Sequence, residues 1–340
     1  MSNGVVAVVG AGSWGTTVAA LLAARGPTAL WVRSPELADA IASGHENARY
    51  LPGIELPRSL RPTASMADAV DGASIVLVAV PSHGFRGVLE AMAPVIEDGA
   101  AVVSLTKGIE VGTNLRMSEV VEQVLPGHPA GVLSGPNLAR EVAEGQPAAT
   151  VVALPDERLA EEVQAQLHCR TFRVYTGTDV VGCEIAGASK NVMAIAAGIC
   201  DGLGLGENTR AVLVTRGLAE QGRLGIAVGG KTLTFGGLAG VGDLLATCTS
   251  PASRNRTVGF ELGRGRSLDD VLSGMHMVAE GVKTAGPLVD LARSADVEMP
   301  IAEQVAALVA GETSPAEALA TLMERPARSE WDAVLHRGLS

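Results

Sequence analysis

The segment that most constrains this chain is a glycine-rich turn near its start. The turn Gly10-x-Gly12-x-x-Gly15 follows a β-branched run at residues 5–9 and precedes an alanine-rich stretch, residues 13–25, that we expect to be helical. The first glycine permits a tight turn, the second lets a ligand approach the backbone, and the third allows close packing of helix on strand. The sequence therefore predicts a strand–turn–helix unit that holds the pyrophosphate of a dinucleotide at a helix N-terminus.

Further apolar runs repeat this strand and helix alternation through the first half of the chain. They are the continuously apolar kind that is typical of a buried parallel sheet. The segment at 45–60 is rich in proline, glycine and arginine, and we expect it to be a loop. The predicted strands after the first are residues 28–32, 75–80, 101–105, 132–133 and 150–153.

The pattern changes after about residue 181, where alanine- and glycine-rich helical segments replace the strands. The clearest of them are residues 184–199, 209–223 and 288–295. The predicted fold is α/β, with an N-terminal Rossmann-type doubly wound sheet followed by a C-terminal all-helical domain. We place the dinucleotide-binding domain at 1–183 and the helical substrate-binding and catalytic domain at 184–340.

Composition excludes several classes of function. A net charge of −11 over 340 residues argues against nucleic acid as a partner, since proteins that bind it usually carry a basic face. The four cysteines form no C-x-x-C pair, which is typical of reduced thiols. We find neither a basic leader nor an uninterrupted apolar segment of membrane-spanning length, so we expect a cytoplasmic protein without a membrane span.

The end of the second predicted strand indicates which nucleotide is preferred. An acidic residue there would select NAD(H), but the sequence is Trp31-Val32-Arg33-Ser34. Arg33 can pair with a 2′-phosphate and Ser34 can donate a hydrogen bond to it. We therefore expect NADP(H) or NAD(H) as cofactor, with NADPH preferred; the alternative is that Arg33 only stacks on the adenine.

Two lysines are candidates for the chemistry. Lys107 follows a predicted strand at the sheet edge where doubly wound folds bind ligands, although a solvated surface lysine is the alternative. Lys190, with Asn191 beside it, lies in a largely uncharged helical stretch, and burial there lowers a lysine pKa. Such a lysine can give a proton to a carbonyl oxygen and take it back, which makes Lys190 the candidate general acid/base. An ordinary amphipathic-helix lysine is the alternative.

An acid and a basic cluster in the second half complete the candidate site. Asp243 follows a glycine-rich loop and shares a helix face with Thr247, so it can orient Lys190 or a substrate hydroxyl, or simply cap the helix. The sequence Ser253-Arg254-Asn255-Arg256 offers guanidinium and amide donors for a phosphate, with a surface turn as the alternative. We find no metal-ligand spacing and predict no metal.

Taken together, these segments resemble the bacterial-type NAD(P)-dependent sn-glycerol-3-phosphate dehydrogenases over almost the whole chain. The chain departs from that pattern at Asn137, where serine is more usual, and at Ser189, where a larger apolar residue is more usual. The matching motifs, in order, are GAGSWGT, VAVPSH at 78–83, TKGIE at 106–110, SGPN at 134–137, GASKNV, AGVGDL, SRNR and MERP.

The resemblance implies the reaction and the residues that serve it. Dihydroxyacetone phosphate and sn-glycerol 3-phosphate would be interconverted, with Lys190 as the proton donor and acceptor, in support of phospholipid synthesis. The cofactor contacts, counting the glycine turn and Ser34, would be Gly10, Gly12, Ser13, Trp14, Gly15, Arg33, Ser34, Lys107, Ala139, Arg254, Val278 and Glu280. The substrate pocket would comprise Lys107, Gly135, Asn137, Lys190, Asn191, Asp243, Thr247, Ser253, Arg254 and Asn255.

Two other readings stay open at this point. A reductase of the β-hydroxyacid or ketopantoate type has the same domain order and would use the arginines for a carboxylate. A redox-sensing module would bind the nucleotide without catalysis, and its lysines and Asp243 would be scattered rather than clustered. The sequence leaves the oligomeric state open, with a homodimer as one possibility.

Overall fold

The structure is a computed structural model that describes residues 5–275, 278–327 and 329–330. These residues group into two units. The sheet unit comprises the residues through Thr106 together with Met117–Val180, and the helical unit comprises Lys107–Arg116 together with the residues from Val181 onward. A single boundary at 183/184 would leave Lys107–Arg116 with the sheet, whereas its contacts join it to the helices.

The sheet unit is built on eight strands in the order β10-β9-β8-β7-β6-β1-β2-β5. All neighbours are parallel except β8 and β9, and β3 pairs with β4 in a separate antiparallel pair. The strands are β1 Val5–Val9, β2 Thr28–Trp31, β3 Glu46–Asn47, β4 Leu51–Glu55, β5 Leu60–Thr63, β6 Ala73–Val78, β7 Ala101–Ser104, β8 Ala130–Ser134, β9 Ala148–Ala153 and β10 Phe172–Gly177.

Helices connect these strands, and the chain reverses its direction of travel across the sheet at the boundary between β1 and β6. The carboxyl ends of strands at such a reversal are where doubly wound folds bind ligands. The helices of this unit are α1 Ser13–Ala23, α2 Pro35–Gly44, α3 Met66–Val70, α4 Ser82–Met92, α5 Met117–Val124, α6 Ala139–Ala143 and α7 Glu157–Leu167.

The predicted fold class is confirmed, and two local predictions need correction. The segment 45–60 is not a loop throughout, since β3 and β4 form a hairpin in which the Gly53 N–H donates to the Glu46 carboxylate. Proline and glycine hid this pairing from a pattern based on apolar runs. Strand β10 was missed because it alternates: Phe172 and Val174 are buried, whereas Arg173 between them is exposed. This is the pattern of a strand at the sheet edge.

The helical unit has one central helix and shorter helices around it. Helix α8 (Val180–Gly202) is long and apolar enough to cross a membrane, but 89% of its most apolar window is buried inside the protein, as in a core helix. The following elements are α9 Glu207–Ala227, α10 Thr232–Phe235, a π-helical turn Leu238–Gly242, α11 Asp243–Thr249, α12 Arg254–Gly263, α13 Leu268–Ser273, α14 Glu280–Ser294, α15 Pro300–Ala310 and α16 Pro315–Met323.

Candidate functional site

The three glycines of the turn after β1 occupy three different environments. Gly10 has φ +114°, and a Cβ on it would lie 2.5 Å from the Ala79 carbonyl oxygen. A Cβ on Gly15 would collide with the Gly10 carbonyl, so helix α1 can pack on the turn only without that side chain. A Cβ on Gly12 would meet no protein atom within 4 Å. The turn is thus tight at its ends and open at Gly12, where a pyrophosphate can approach the backbone.

The start of α1 is suited to an anion. Its N-cap is Gly12, which has no side chain to accept from the first turn, and the N-terminus of a helix favours negative charge. The buried Asn47 side chain holds the turn by donating to the Ala11 carbonyl (2.9 Å) and to Thr16 Oγ1 (2.8 Å). Ser13 Oγ donates to the Tyr50 carbonyl at 2.6 Å. Sequence patterns did not reveal Asn47 or Tyr50, because both lie in the segment expected to be a loop.

Trp14 and Ala139 also lie at this turn. The indole Nε1 of Trp14 is buried without a hydrogen-bond partner among the described residues, and its ring meets Phe172 edge-on at a centroid distance of 6.0 Å. Thr17 Oγ1 donates to the Ala139 carbonyl at 3.1 Å, which ties α6 to α1. The open face at Gly12 and the helix N-terminus fit a dinucleotide phosphate, whereas the indole N–H of Trp14 is enclosed by the protein.

At the end of β2, the hydrogen bond made by Ser34 differs from the one that the sequence predicted. Arg33 is exposed beyond the strand, as a 2′-phosphate ligand must be. Ser34 is the N-cap of α2, and its hydroxyl donates to Glu36 Oε2 at 2.5 Å while accepting from the Leu37 N–H. The Ser34 hydrogen bond, followed by a backbone hydrogen bond, lowers the pKa of Glu36. The Ser34 hydroxyl therefore donates to the Glu36 carboxylate rather than to a 2′-phosphate. Of the two predicted contacts with that phosphate, Arg33 is the one that remains.

Two predicted substrate residues, Gly135 and Asn137, follow β8. Gly135 has φ +152°, and a Cβ there would lie 3.0 Å from Thr150 Cα. Asn137 Nδ2 donates to Thr150 Oγ1 at 2.9 Å, which fixes the amide, while its Oδ1 is buried and has no partner in the part of the chain that the structure describes. Asn137 is thus held in place by Thr150, with its Oδ1 enclosed by the protein.

The three candidate chemical residues form one cluster in the helical unit. Lys190 Nζ donates to Asp243 Oδ1 at 2.5 Å, and Lys107 Nζ donates to Asp243 Oδ2 at 2.6 Å. The side chains of Lys190 and Asp243 are 8% and 2% exposed, and that of Lys107 is 14% exposed. Two ammonium groups therefore share one buried carboxylate, and the lysine–aspartate clustering that a binding module would lack is present.

This arrangement tunes the proton affinity of Lys190. Burial lowers its pKa to about 8; the nearby charge of Asp243 acts in the opposite direction, and that of Lys107 lowers it further. This is the direction of shift that the largely uncharged helical stretch predicts. A lysine with a pKa near 8 can both donate and accept a proton at a pH close to neutral.

The glycine-rich segment before α11 places Asp243. Asp243 follows the π-helical turn directly and is the first residue of α11. A Cβ on Gly240 would collide with the backbone of Phe235, so this turn needs a glycine to pack on α10. Thr247, one turn along α11, accepts from Lys190 Nζ at 2.8 Å and donates to the Asp243 carbonyl at 2.7 Å. Thr247, which the sequence predicted to be a substrate residue, therefore also holds Lys190 in place.

The two predicted asparagines form a relay that ends on the backbone of Lys107. The Gly281 N–H donates to Asn255 Oδ1, Asn255 Nδ2 donates to Asn191 Oδ1, and Asn191 Nδ2 donates to the Lys107 carbonyl. The three distances are 2.9, 2.9 and 2.8 Å. Both amides are therefore oriented before any substrate binds.

The segment Lys107–Arg116 is attached to α8 by an ion pair. Arg116 Nη1 donates to Glu184 Oε2 at 2.7 Å, and both side chains are largely buried. Inside the segment, the Glu110 N–H donates to the Leu115 carbonyl, which closes it into a small loop. The ion pair explains how Lys107, which follows a strand of the sheet unit, belongs to the helical unit.

The arginines of the SRNR motif separate into two kinds. Ser253 caps α12, and Arg254 at the first helical position is exposed and close enough to Glu280 for their charges to interact. Arg256 instead pairs with Asp201 at 2.7 Å, so it is not a free phosphate donor. Glu280 is the first residue of α14, and Val278 lies two residues before it. Residues 276–277 lie outside the described residues.

No three His, Cys, Asp or Glu side chains among the described residues lie together as a metal ion would require.

Comparison with known proteins assigns both units to one family. Models described as the N-terminus and the C-terminus of NAD-dependent glycerol-3-phosphate dehydrogenase match residues 5–168 and 179–320. A glycerol-3-phosphate dehydrogenase (NAD(P)+) 2 of Sphingopyxis alaskensis is 54% identical over 300 residues, 88% of this chain and 90% of the relative. A glycerol-3-phosphate dehydrogenase (NAD(P)+) of Corynebacterium glutamicum is 52% identical over 96% of this chain and 99% of its own length.

A solved structure agrees with this assignment. The crystal structure of glycerol-3-phosphate dehydrogenase from Coxiella burnetii has a TM-score of 0.91 at 38% identity. The match covers 94% of this chain and 98% of that one.

Proposed function

This chain, a member of the NAD-dependent glycerol-3-phosphate dehydrogenase family, is an oxidoreductase that interconverts sn-glycerol 3-phosphate and dihydroxyacetone phosphate, and we propose that Lys190 moves the proton in that reaction. The observation that carries the proposal is the hydrogen bond of the buried Lys190 ammonium to Asp243, with Lys107 on the other carboxylate oxygen. Burial lowers the pKa of Lys190 to about 8, which suits a group that both donates and accepts a proton.

In the direction of reduction, Lys190 donates its proton to the ketone oxygen as negative charge develops on it. The bound reduced nicotinamide supplies the hydride for the ketone carbon. Asp243 fixes the direction of the Lys190 N–H bonds, and the charge of Lys107 stabilises the developing alkoxide. In the direction of oxidation, neutral Lys190 accepts the proton of the secondary hydroxyl.

The first turn of α12 is our candidate for holding the substrate phosphate. Ser253, Arg254 and Asn255 supply a hydroxyl, a guanidinium and an amide there. The phosphate is remote from the reacting carbon, so its binding energy can orient the carbonyl.

For the cofactor, we propose that NADPH is preferred over NADH. Arg33 supports this preference, because it is an exposed cation at the end of β2 where an acidic residue would select NAD(H). We place the reaction in the cytoplasm, where reduction with NADPH would supply glycerol 3-phosphate for phospholipid synthesis.

Initial rates of reduced-nicotinamide oxidation test the function directly. We expect saturable oxidation of NADPH by dihydroxyacetone phosphate, slower turnover of dihydroxyacetone, and competition by inorganic phosphate. Turnover of 2-ketopantoate in place of dihydroxyacetone phosphate would favour a carboxylate reductase. Tight NADPH binding without turnover of either substrate would favour a redox-sensing module.

A further inference from the structure

Asp201 holds two arginines from two different helices. It lies at the end of α8, and its side chain is 7% exposed. Arg256 of α12 donates to Oδ2 from Nε (2.9 Å) and from Nη2 (2.7 Å). Arg210 of α9 donates to Oδ1 from Nε (3.1 Å) and from Nη2 (2.6 Å). We call Asp201, Arg210 and Arg256 the Asp201 clasp.

The two charges of the Arg256–Asp201 ion pair each lie at the helix end where the helix dipole disfavours that charge. A carboxylate is unfavourable near the C-terminus of α8, and a guanidinium is unfavourable in the first turn of α12, where no acidic residue is present. Capping and charge rules for isolated helices do not explain these residues. Their pairing instead fixes the position of the first turn of α12 relative to α8.

Helices α8 and α12 touch backbone to backbone, which makes that position narrowly defined. A Cβ on Gly198 would lie 2.7 Å from the Phe260 N, and one on Gly263 would lie 2.6 Å from the Ile199 carbonyl oxygen. Cβ atoms on Gly202 and Gly259 would likewise collide with the facing backbone. A contact of this kind leaves no side chains that could rearrange to compensate for a shift of either helix.

The backbone contact between α8 and α12 connects the helix of the proton donor with the helix of the proposed phosphate ligands. Lys190 and Asn191 lie on α8, and Arg254 and Asn255 lie on the first turn of α12. Asn255 Nδ2 reaches Asn191 Oδ1 at 2.9 Å across the contact. The separation between the proton donor and the proposed phosphate ligands is therefore set by how α12 is seated on α8.

We propose that Asp201 is a positioning residue for the substrate phosphate, acting through Arg256 on the first turn of α12. This inference rests on the proposed role of Ser253, Arg254 and Asn255 as phosphate ligands. Neither Asp201 nor Arg256 touches the substrate in this scheme. Arg210, although it binds the same carboxylate, lies on α9 and has no such role.

The matched variants Arg256→Gln and Arg210→Gln test the proposal, because each removes one guanidinium from the same carboxylate. The measured quantity is the ratio of kcat/KM for dihydroxyacetone phosphate to kcat/KM for dihydroxyacetone. We expect Arg256→Gln to lower this ratio about tenfold or more, since only the phosphorylated substrate uses the first turn of α12. Arg210→Gln should leave it within about twofold, and Asp201→Asn should behave like Arg256→Gln.

Other outcomes distinguish a failure of this proposal from a failure of the proposed phosphate ligands. If Arg256→Gln lowers kcat/KM for both substrates equally, or if both arginine variants change the ratio equally, the clasp is only structural and the proposal is overturned. Arg256→Lys, which keeps the charge but not the fork of donors, should show an intermediate ratio and covers the case in which Arg256→Gln does not fold. A wild-type enzyme that does not distinguish the two substrates would refute the phosphate ligands themselves.

Discussion

The two units use different groups for the functions that we assign to them. In the sheet unit, the nucleotide turn consists of backbone, and its glycines act through the side chains that they lack. In the helical unit, the reactive part consists of the charged side chains of Lys107, Lys190 and Asp243, which share hydrogen bonds. A site made of backbone is sensitive to added atoms, whereas a site made of charged side chains is sensitive to protonation. Each should therefore fail under a different perturbation.

Replacing Lys190 with alanine tests the side-chain part most severely. We expect kcat for dihydroxyacetone phosphate to fall by about two to four orders of magnitude, because the general acid is lost. The Kd for NADPH, measured by nicotinamide fluorescence, should not change, since the nucleotide turn lies in the other unit. Lys231→Ala removes an exposed lysine of the same unit and is the control. Wild-type turnover in Lys190→Ala would assign the proton transfer to another group.

Alanine at Gly12 and at Gly15 separates two ways in which a backbone site fails. At Gly12 the Cβ meets no protein atom, so the Tm should be unchanged, while the KM for NADPH rises about ten- to a hundredfold, the equivalent of roughly 1–3 kcal/mol for overpacking. At Gly15 the Cβ meets the Gly10 carbonyl, so the Tm should fall as well. Gly87→Ala, at an open position on α4, is the control. An unchanged KM in Gly12→Ala would refute the pyrophosphate site.

The pH dependence of the rates sharpens the contrast between the two units. It should follow the titration of Lys190 in the helical unit and owe nothing to the nucleotide turn. Burial lowers the pKa of Lys190 to about 8, and the ammonium form is the donor. We expect kcat for reduction to be level below about pH 8 and to fall about tenfold per pH unit above it, with the opposite limb for oxidation. Asp243→Asn removes the charge that raises this pKa and should move both limbs to lower pH. Flat profiles between pH 6 and 10 would exclude Lys190.

The smallest effect concerns Arg33, the side chain that we assign to the 2′-phosphate of the cofactor. Arg33→Gln should raise the KM for NADPH roughly tenfold, as expected for the loss of a hydrogen bond to a charged group, and leave the KM for NADH within about twofold. Arg158→Gln, which removes an exposed arginine of α7, is the matched control. Equal changes for the two cofactors would indicate that Arg33 stacks on the adenine instead.

The sequence predicted the strand–turn–helix unit around Gly10, Gly12 and Gly15 because its signals are local. The glycines lie within six residues, and the β-branched run and the alanine-rich helix flank them directly. Lys107, Lys190 and Asp243 carry no such pattern, since Lys107 and Asp243 are 136 residues apart. Residue chemistry marked each of them as a candidate, but only the family resemblance put them in one pocket before the structure did.

Asn47 and Asp201 show what local patterns cannot reveal. Asn47 lies in a segment whose proline and glycine content indicates a loop, yet its amide holds the nucleotide turn. Asp201 has the sequence signature of an ordinary polar residue at a helix end, and its role depends on arginines 9 and 55 residues away. The motif SRNR likewise did not reveal that Arg256 points to Asp201 rather than to a ligand. Such roles depend on tertiary contacts.

The assignment of Lys107–Arg116 to the helical unit has a consequence for how the enzyme is made. On the ribosome, Lys107 is synthesised 136 residues before its partner Asp243. At about 5–20 residues per second, this interval lasts on the order of ten seconds. Throughout it, a nascent chain can hold strands β1 to β7 but lacks the Asp243 carboxylate that receives this lysine. Catalytic competence therefore arises late in translation, after the nucleotide turn has long been synthesised.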